Sequence, residues 1–280
     1  MRLSGLFWPS LAANVGYWIT LSLNIPDFTR YAKTQRSQIV GQALGLPLTM
    51  TAFSFIGIAV TAATIVVFDE AIWDPVVLVT RLAENTPLLL IVAMIIIAIA
   101  QISTNMAANV VSPSFDFSNL APKYITFRTG GIITAIIGVV SFPWVLFNNV
   151  GTYIFTWLVG YGSLLGAIGA VMIMDYWILR RRQLDLAELY KLDGRYSYAG
   201  GWNWKAIAAV FIGVIPVVPG FLKAATTAGL NGQPFPNPTF IESLYNYGLF
   251  FTFGVAAVAY LALSMIGGRA TEPAREPETT

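Results

Sequence analysis

Cysteine and histidine are both missing from these 280 residues. Without cysteine there is no disulfide framework and no thiolate to ligate a metal or attack a substrate. Without histidine there is no imidazole for zinc, haem or ordinary acid–base work near neutral pH. Charge is scarce as well, at 11% of residues against 56% hydrophobic, and the mean hydropathy is +0.67. A water-soluble domain needs more polar surface than that, so lipid is the solvent of most of the chain. The net charge of +2 is small and the basic residues are scattered between apolar runs, which argues against a nucleic-acid surface. No secretory leader is read, because the first apolar run carries Trp18 and Asn24 and lacks a small-residue cleavage pattern.

What is present is a series of long apolar runs. A helix needs about 20 mostly apolar residues to cross the hydrocarbon core, because each backbone N–H and C=O must find its partner inside the segment. Seven stretches qualify: Leu6 to Ile25, Ile39 to Val67, Leu88 to Val111, Gly130 to Leu146, Tyr153 to Met174, Trp204 to Phe221 and Tyr245 to Met265. The expected class is therefore an all-α integral membrane protein. The second run is longer than one crossing and holds Gly45 and Pro47, so it is expected to tilt, kink or begin before the membrane. With the N-terminus outside and the C-terminus cytoplasmic, only Arg2, Arg81 and Lys223 of the 16 basic residues lie outside. That asymmetry is the positive-inside signature of a multi-pass protein of the cell membrane.

Between the second and third runs, Asp69, Glu70, Trp73, Asp74 and Pro75 precede VVLVTRL, which predicts a short helix at the outer face. An interfacial helix is preferred there over a lid. Gln183 to Trp202 reads as a polar inner loop with an amphipathic helix, and RATEPAREPETT after Gly267 as a disordered tail. Arg180 to Arg182 read as a cytoplasmic anchor against anionic lipid. Asp27 beside Arg30 reads as a helix-end cap or a local ion pair. Gly41 with Gly45, and Gly162 with Gly166, are small-residue pairs that let helices approach closely. The string from Gly160 to Gly166 has the wrong spacing for a dinucleotide loop and no strand before it. No P-loop, nucleophile elbow or metal motif is found.

Polar residues at membrane depth are costly and so mark a pathway or a packing contact. Six of them or their neighbours crowd the third run, Ala100, Gln101, Ser103, Thr104, Asn105 and Asn109, in the string AQISTNMAAN. Asn105 and Asn109 are four apart and share a helix face. Hydroxyls and amides without fixed charge suit a desolvated monovalent cation or a neutral polar solute. Interhelical hydrogen bonding explains any one of them as well, but the density favours a site. In the first run, Gly16, Ser22, Asn24 and Pro26 predict a broken helix that bares backbone groups at the midplane. Trp18 lies too deep for an interfacial belt, and its indole suits either stacking on a flat heterocycle or core packing.

The strings GYWITLSLNIPDFTRYAK, ISTNMAANVVSPSFDFSNLAPKYITFRTGG and DYWILRRRQLDLAELY resemble the nucleobase/cation symporter family of type one, over nearly the whole chain. The resemblance implies helices six to twelve of a LeuT-type 5+5 inverted-repeat transporter. Residues 1–174 would be the second repeat, 175–203 a cytoplasmic loop, 204–266 the final two helices and 267–280 the tail. It implies that Trp18 stacks on the substrate ring, that Asn109 hydrogen-bonds its amide edge, and that backbone near Tyr17 lines the cavity. Ile154 matches a bulky apolar gate residue. The Ala100 carbonyl with the Ser103 and Thr104 hydroxyls would hold Na+, or the coupling ion would be H+. The expected activity is symport of a uracil, cytosine, purine, allantoin or hydantoin-like solute, with no cofactor and no enzymatic step. The N-terminal five helices would come from elsewhere, and the rival expectation is a truncated, non-transporting fragment or subunit.

Overall fold

The computed structural model describes residues 3–147, 150–191, 193–226, 235 and 238–266. The expected tail at 267–280 lies outside them. The described chain is helical apart from turns and one isolated β-bridge between Ala199 and Trp202. Its long helices are α1 (Leu3–Asn24), α2 (Gln35–Phe68), the eight-residue α3 (Pro75–Leu82) and α4 (Pro87–Leu120). They are followed by α5 (Phe127–Val140), α6 (Tyr153–Leu179) and α7 (Trp204–Thr226), α8 (Phe240–Asn246) and α9 (Gly248–Met265). Among the described residues six helices are long and apolar enough to cross a membrane, which makes this a multi-pass membrane protein. The first expected span, α1, has the length of a crossing but does not meet that apolarity.

The chain divides into two compact units, one made of the residues up to Leu23 with those from Phe142 on, the other of Asn24–Ser141. In the first unit, α6, α7 and α9 pack around Ala167, Ala170, Val171, Ala209, Ala256, Ala257 and Tyr260. Alanine and glycine dominate this core because lipid offers no hydrophobic contrast, and small side chains let the backbones make close van der Waals contact. A Cβ on Gly166 would meet a Leu249 side-chain methyl at 2.8 Å, and one on Gly213 would meet the Thr252 carbonyl at 3.0 Å. Thr252 Oγ1 adds a buried bond to the Ser163 carbonyl at 2.6 Å. On another face, α1 crosses α6 where Gly16 and Gly162 touch. The close-approach reading thus holds for Gly162 and Gly166. Gly41 and Gly45 have no such neighbour within 4 Å among the described residues.

In the second unit, α2 runs unbroken for 34 residues, about 51 Å against a hydrocarbon core of about 30 Å. Thr34 caps its N-terminus by accepting from the Ser37 amide at 3.1 Å. Hydroxyls of Thr49 and Thr51 donate to the Gly45 and Pro47 carbonyls at 2.6 and 2.7 Å, so polar groups around the proline stay satisfied inside the helix. The short helix expected between the second and third runs is found as α3, started by Asp74, whose carboxylate accepts from the Val76 and Val77 amides. The approach to it is fastened by the Ile72 amide donating to buried Thr64 Oγ1 at 2.9 Å.

Three expectations are corrected here. The first run is not broken in its middle: α1 continues through Gly16 and Trp18 to Asn24, and the interruption comes at Ile25 before the four-residue helix Pro26–Thr29. Gly16 serves packing instead, and Ser22 donates to the Ile19 carbonyl without disturbing the ladder. Arg180 is not a lipid-facing anchor. It is 5% exposed and bonds Asp175 at 2.5 Å and the Tyr198 hydroxyl at 2.8 Å. Nor is there an Asp27–Arg30 ion pair among the described residues. Arg30 instead lies over the Phe115 ring at 3.8 Å.

Candidate functional site

Among the described residues, three stretches of π-helix interrupt the long helices: Met106–Val110 in α4, Tyr153–Leu158 at the start of α6 and Met174–Leu179 at its end. A π turn inserts one residue into an α-helix, which re-aims side chains and loosens the carbonyl ladder, and such turns recur at functional sites. Two expected site residues, Asn109 and Ile154, lie inside them.

The cause of the first turn is legible in the chain. Pro113 has no N–H to give the Asn109 carbonyl, and its ring collides with that carbonyl in a straight helix, so the ladder widens just upstream. Ser114 then donates its hydroxyl to the Val110 carbonyl at 2.5 Å. Ser114 is fully buried where α5 approaches, and a Cβ on Gly130 would meet the Ser114 carbonyl at 2.7 Å. N-terminal to this braced turn, Asn109 Nδ2 donates to Asn105 Oδ1 at 2.6 Å, so the two carboxamides share a face as expected. One turn earlier, Ser103 Oγ donates to the Ala100 carbonyl at 3.0 Å. Both oxygens keep lone pairs that a monovalent cation can use. Ala100, Ser103, Thr104, Asn105 and Asn109 are all exposed. The strip carries oxygens and amides but no fixed charge.

Tyr17, Trp18 and Ile154 belong to the other unit. The Tyr17 and Trp18 rings meet edge to face with centroids 5.0 Å apart, Tyr17 exposed and Trp18 half-buried. Tyr153, next to Ile154, is an electrostatic neighbour of Tyr17. Ile154 and Leu158 pack against a buried cluster of Ala13, Val159, Phe235 and Tyr245. Thr20 and Tyr161 hydroxyls lie 3.2 Å apart and tie α1 to α6 again. The expected residues therefore fall into two groups, Tyr17, Trp18 and Ile154 in one unit, and Ala100, Ser103, Thr104 and Asn109 in the other.

Several polar residues were not singled out by the sequence. The Tyr245 hydroxyl donates to the Thr156 carbonyl at 2.6 Å, with the Phe155 carbonyl at 3.2 Å. At the end of α6, Asp175 accepts from Arg180 Nε and, at 2.7 Å, from the Tyr260 hydroxyl, which also takes a bond from Asn203 at 3.3 Å. Burial pushes the Tyr198 hydroxyl upward in pKa, so it stays protonated beside Arg180. Only Pro113 left a sequence signal, four residues after Asn109. Asp175 and Arg180 are five apart, and the other pairs span 18 to 90 residues, which no local pattern reveals. An apolar cavity of about 260 Å3, lined by Trp157, Tyr161, Leu164, Val217, Phe221 and Tyr245, contains none of the expected site residues.

Against known proteins, the profile of a family described as permeases for cytosine/purines, uracil, thiamine and allantoin matches residues 1–265. The chain is 40% identical over 265 residues to the purine-uracil permease NCS1 of Arabidopsis thaliana, covering 94% of this chain and 43% of that protein. It is 43% identical over 215 residues to an allantoin permease of Bacillus subtilis, covering 76% of this chain and 43% of that one. A hydantoin permease of Microbacterium maritypicum is 31% identical over 207 residues, with 69% of this chain and 40% of the relative covered. Among solved structures, the inward-facing conformation of Mhp1 matches with a TM-score of 0.63 at 26% identity, covering 92% of this chain and 52% of that one. The expected LeuT-type, all-α fold is thus the fold found. The chain spans about two fifths of the length of the curated relatives it matches.

Proposed function

The chain belongs to the family of permeases for cytosine and purines, uracil, thiamine and allantoin, and from that premise we propose that it forms the C-terminal part of a symporter for a nucleobase or related heterocycle. The observation that carries this reading is the uncharged polar strip from Ala100 to Asn109 on an otherwise apolar helix, re-aimed by a π turn at Asn109. Such a strip exchanges the hydration of a planar amide-bearing solute for fixed carboxamide contacts. Asn109 hydrogen-bonds the amide edge, Trp18 stacks on the ring, Tyr17 lines the cavity and Ile154 closes over it. The Ala100 carbonyl and the Ser103 and Thr104 hydroxyls receive the co-transported cation, Na+ or H+ being the coupling ion. In this reading Ser103 gives up its bond to Ala100 when the ion arrives.

The chain covers 43% of each of two relatives, and we assign the remaining cavity wall to five helices equivalent to their N-terminal part, on the same or a separate polypeptide. The N-terminus of this chain faces outward and its C-terminus the cytoplasm. Alternating access follows when a helix bundle rocks against a scaffold around the bound solute.

Uptake of labelled uracil, allantoin and hydantoin, measured with a five-helix N-terminal half co-expressed, tests the reading. Trp18→Ala should raise the KM about tenfold, since stacking on an aromatic ring contributes roughly 1–3 kcal/mol, and Asn109→Ala about fivefold, since a net hydrogen bond contributes about 1 kcal/mol. Ser103→Ala and Thr104→Val should weaken the response to a sodium or proton gradient while leaving solute affinity at zero gradient nearly unchanged. Uptake indifferent to all four substitutions would defeat the proposal.

A further inference from the structure

Tyr245 is 2% exposed, its ring packed near Phe221 and Phe235 and over Gly220, where an added Cβ would strike the tyrosine. Its hydroxyl reaches out of α8 to the Thr156 and Phe155 carbonyls of the π turn Tyr153–Leu158. The Thr156 carbonyl also accepts from the Val159 amide, and in an apolar medium a second donor fixed on the carbonyls of a widened turn favours that turn over a regular one. The other two π turns are held locally: Ser114 donates to the Val110 carbonyl one turn back, and at the end of α6 the Arg180 amide makes the turn's own bond to the Asp175 carbonyl at 2.9 Å while its guanidinium holds the carboxylate.

We propose that Tyr245 is a positioning residue whose hydroxyl clasps the first turn of α6 in its π register and so fixes the direction in which Ile154 points. Relaxation to a regular α-helix removes one residue from the turn and swings the residues before the clasp by about 100° relative to Val159 and beyond. The last helices of the chain thereby set the gate without touching solute. The clasp itself is independent of solute; only the word gate rests on the reading proposed above.

The absence of native cysteine makes Ile154→Cys a clean probe. Its labelling rate by a membrane-impermeant maleimide, in vesicles containing the chain with or without Tyr245→Phe, should differ about fivefold or more, the population shift one hydrogen bond carries. Equal rates in two variants that both run as monodisperse, folded protein overturn the proposal. Hydrogen exchange of the unsubstituted protein gives a second reading that survives a failure of Tyr245→Phe to fold. A peptide over Tyr153–Leu158 should exchange as slowly as Val159–Ile173, and exchange at the rate of a frayed helix end overturns the clasp. Absence of uptake in every background, with the labelling contrast intact, would remove the transport reading and leave the clasp standing.

Discussion

Arg180, Arg181 and Arg182 are one run of charge in the sequence and two different things in space. Arg180 is buried against Asp175 and Tyr198, whereas Arg181 and Arg182 are exposed in left-handed backbone, φ 50° and 67°. A charge run reads as a solvated surface because nothing local announces partners such as Tyr198 and, through Asp175, Tyr260. Arg180→Ala strands a half-buried carboxylate and should cost about 3–5 kcal/mol, the typical result of breaking a buried pair. Arg181→Ala should stay within about 0.5 kcal/mol. Thermal unfolding of the detergent-solubilised protein separates the two. The pairing of Asn105 with Asn109, by contrast, was legible, since spacing alone puts positions four apart on one face.

Glu242 supplies a pH-dependent term at the same scale. It lies outside the spans, forms a capping box with Thr239 and pairs with Lys223, and that hydrogen bond together with the Thr239 amide holds its carboxyl below the usual carboxylate range. A group whose folded pKa is lowered stabilises the fold above its unfolded value, near 4.5, and loses that contribution as pH falls through the lowered one. Glu242→Gln should therefore flatten the acid limb of the melting temperature scanned from about pH 6 to about pH 3. An unchanged acid limb would show that the pair contributes nothing to stability.

At the scale of elements, hydropathy located the long helices and misplaced their ends. The third expected span stopped at Val111, but α4 continues to Leu120 through VSPSFDFSNL. Apolarity marks where lipid ends, whereas a helix ends where its hydrogen bonds run out, and here the Ala121 amide still bonds the Phe117 carbonyl at 3.3 Å. The last expected span, from Tyr245, proved to be α8 and α9 meeting at Tyr247. The loop after α6 holds only the short helix Leu186–Leu189, started by Asp185. Periodicity could not show the π turns, because an inserted residue looks like any other apolar position. Small-residue pairs were visible but not their use. Gly166→Val should destabilise by about 1–3 kcal/mol through overpacking against Leu249, while Gly41→Val and Gly45→Val should leave the melting temperature nearly unchanged. Equal effects at all three positions would contradict the close approach of α6 and α9.

For the whole molecule, the class and family were readable because lipid imposes long uninterrupted apolar runs and because the strings that carry the family resemblance are long. The division into two units was not, since it groups α1 with helices more than a hundred residues away. Orientation is a property of the assembled chain and can be checked on it directly. With no cysteine in the background, Trp73→Cys should react with an impermeant maleimide in intact cells, and Arg195→Cys only after permeabilisation. The reverse pattern would invert the assigned topology.

The network around Asp175 has a mechanical corollary. Because Arg180, Tyr260 and Asn203 lace the foot of α6 to α9 and to the start of α7, these three rods share one base plate. A displacement at that plate is passed to the feet of all three rods at once.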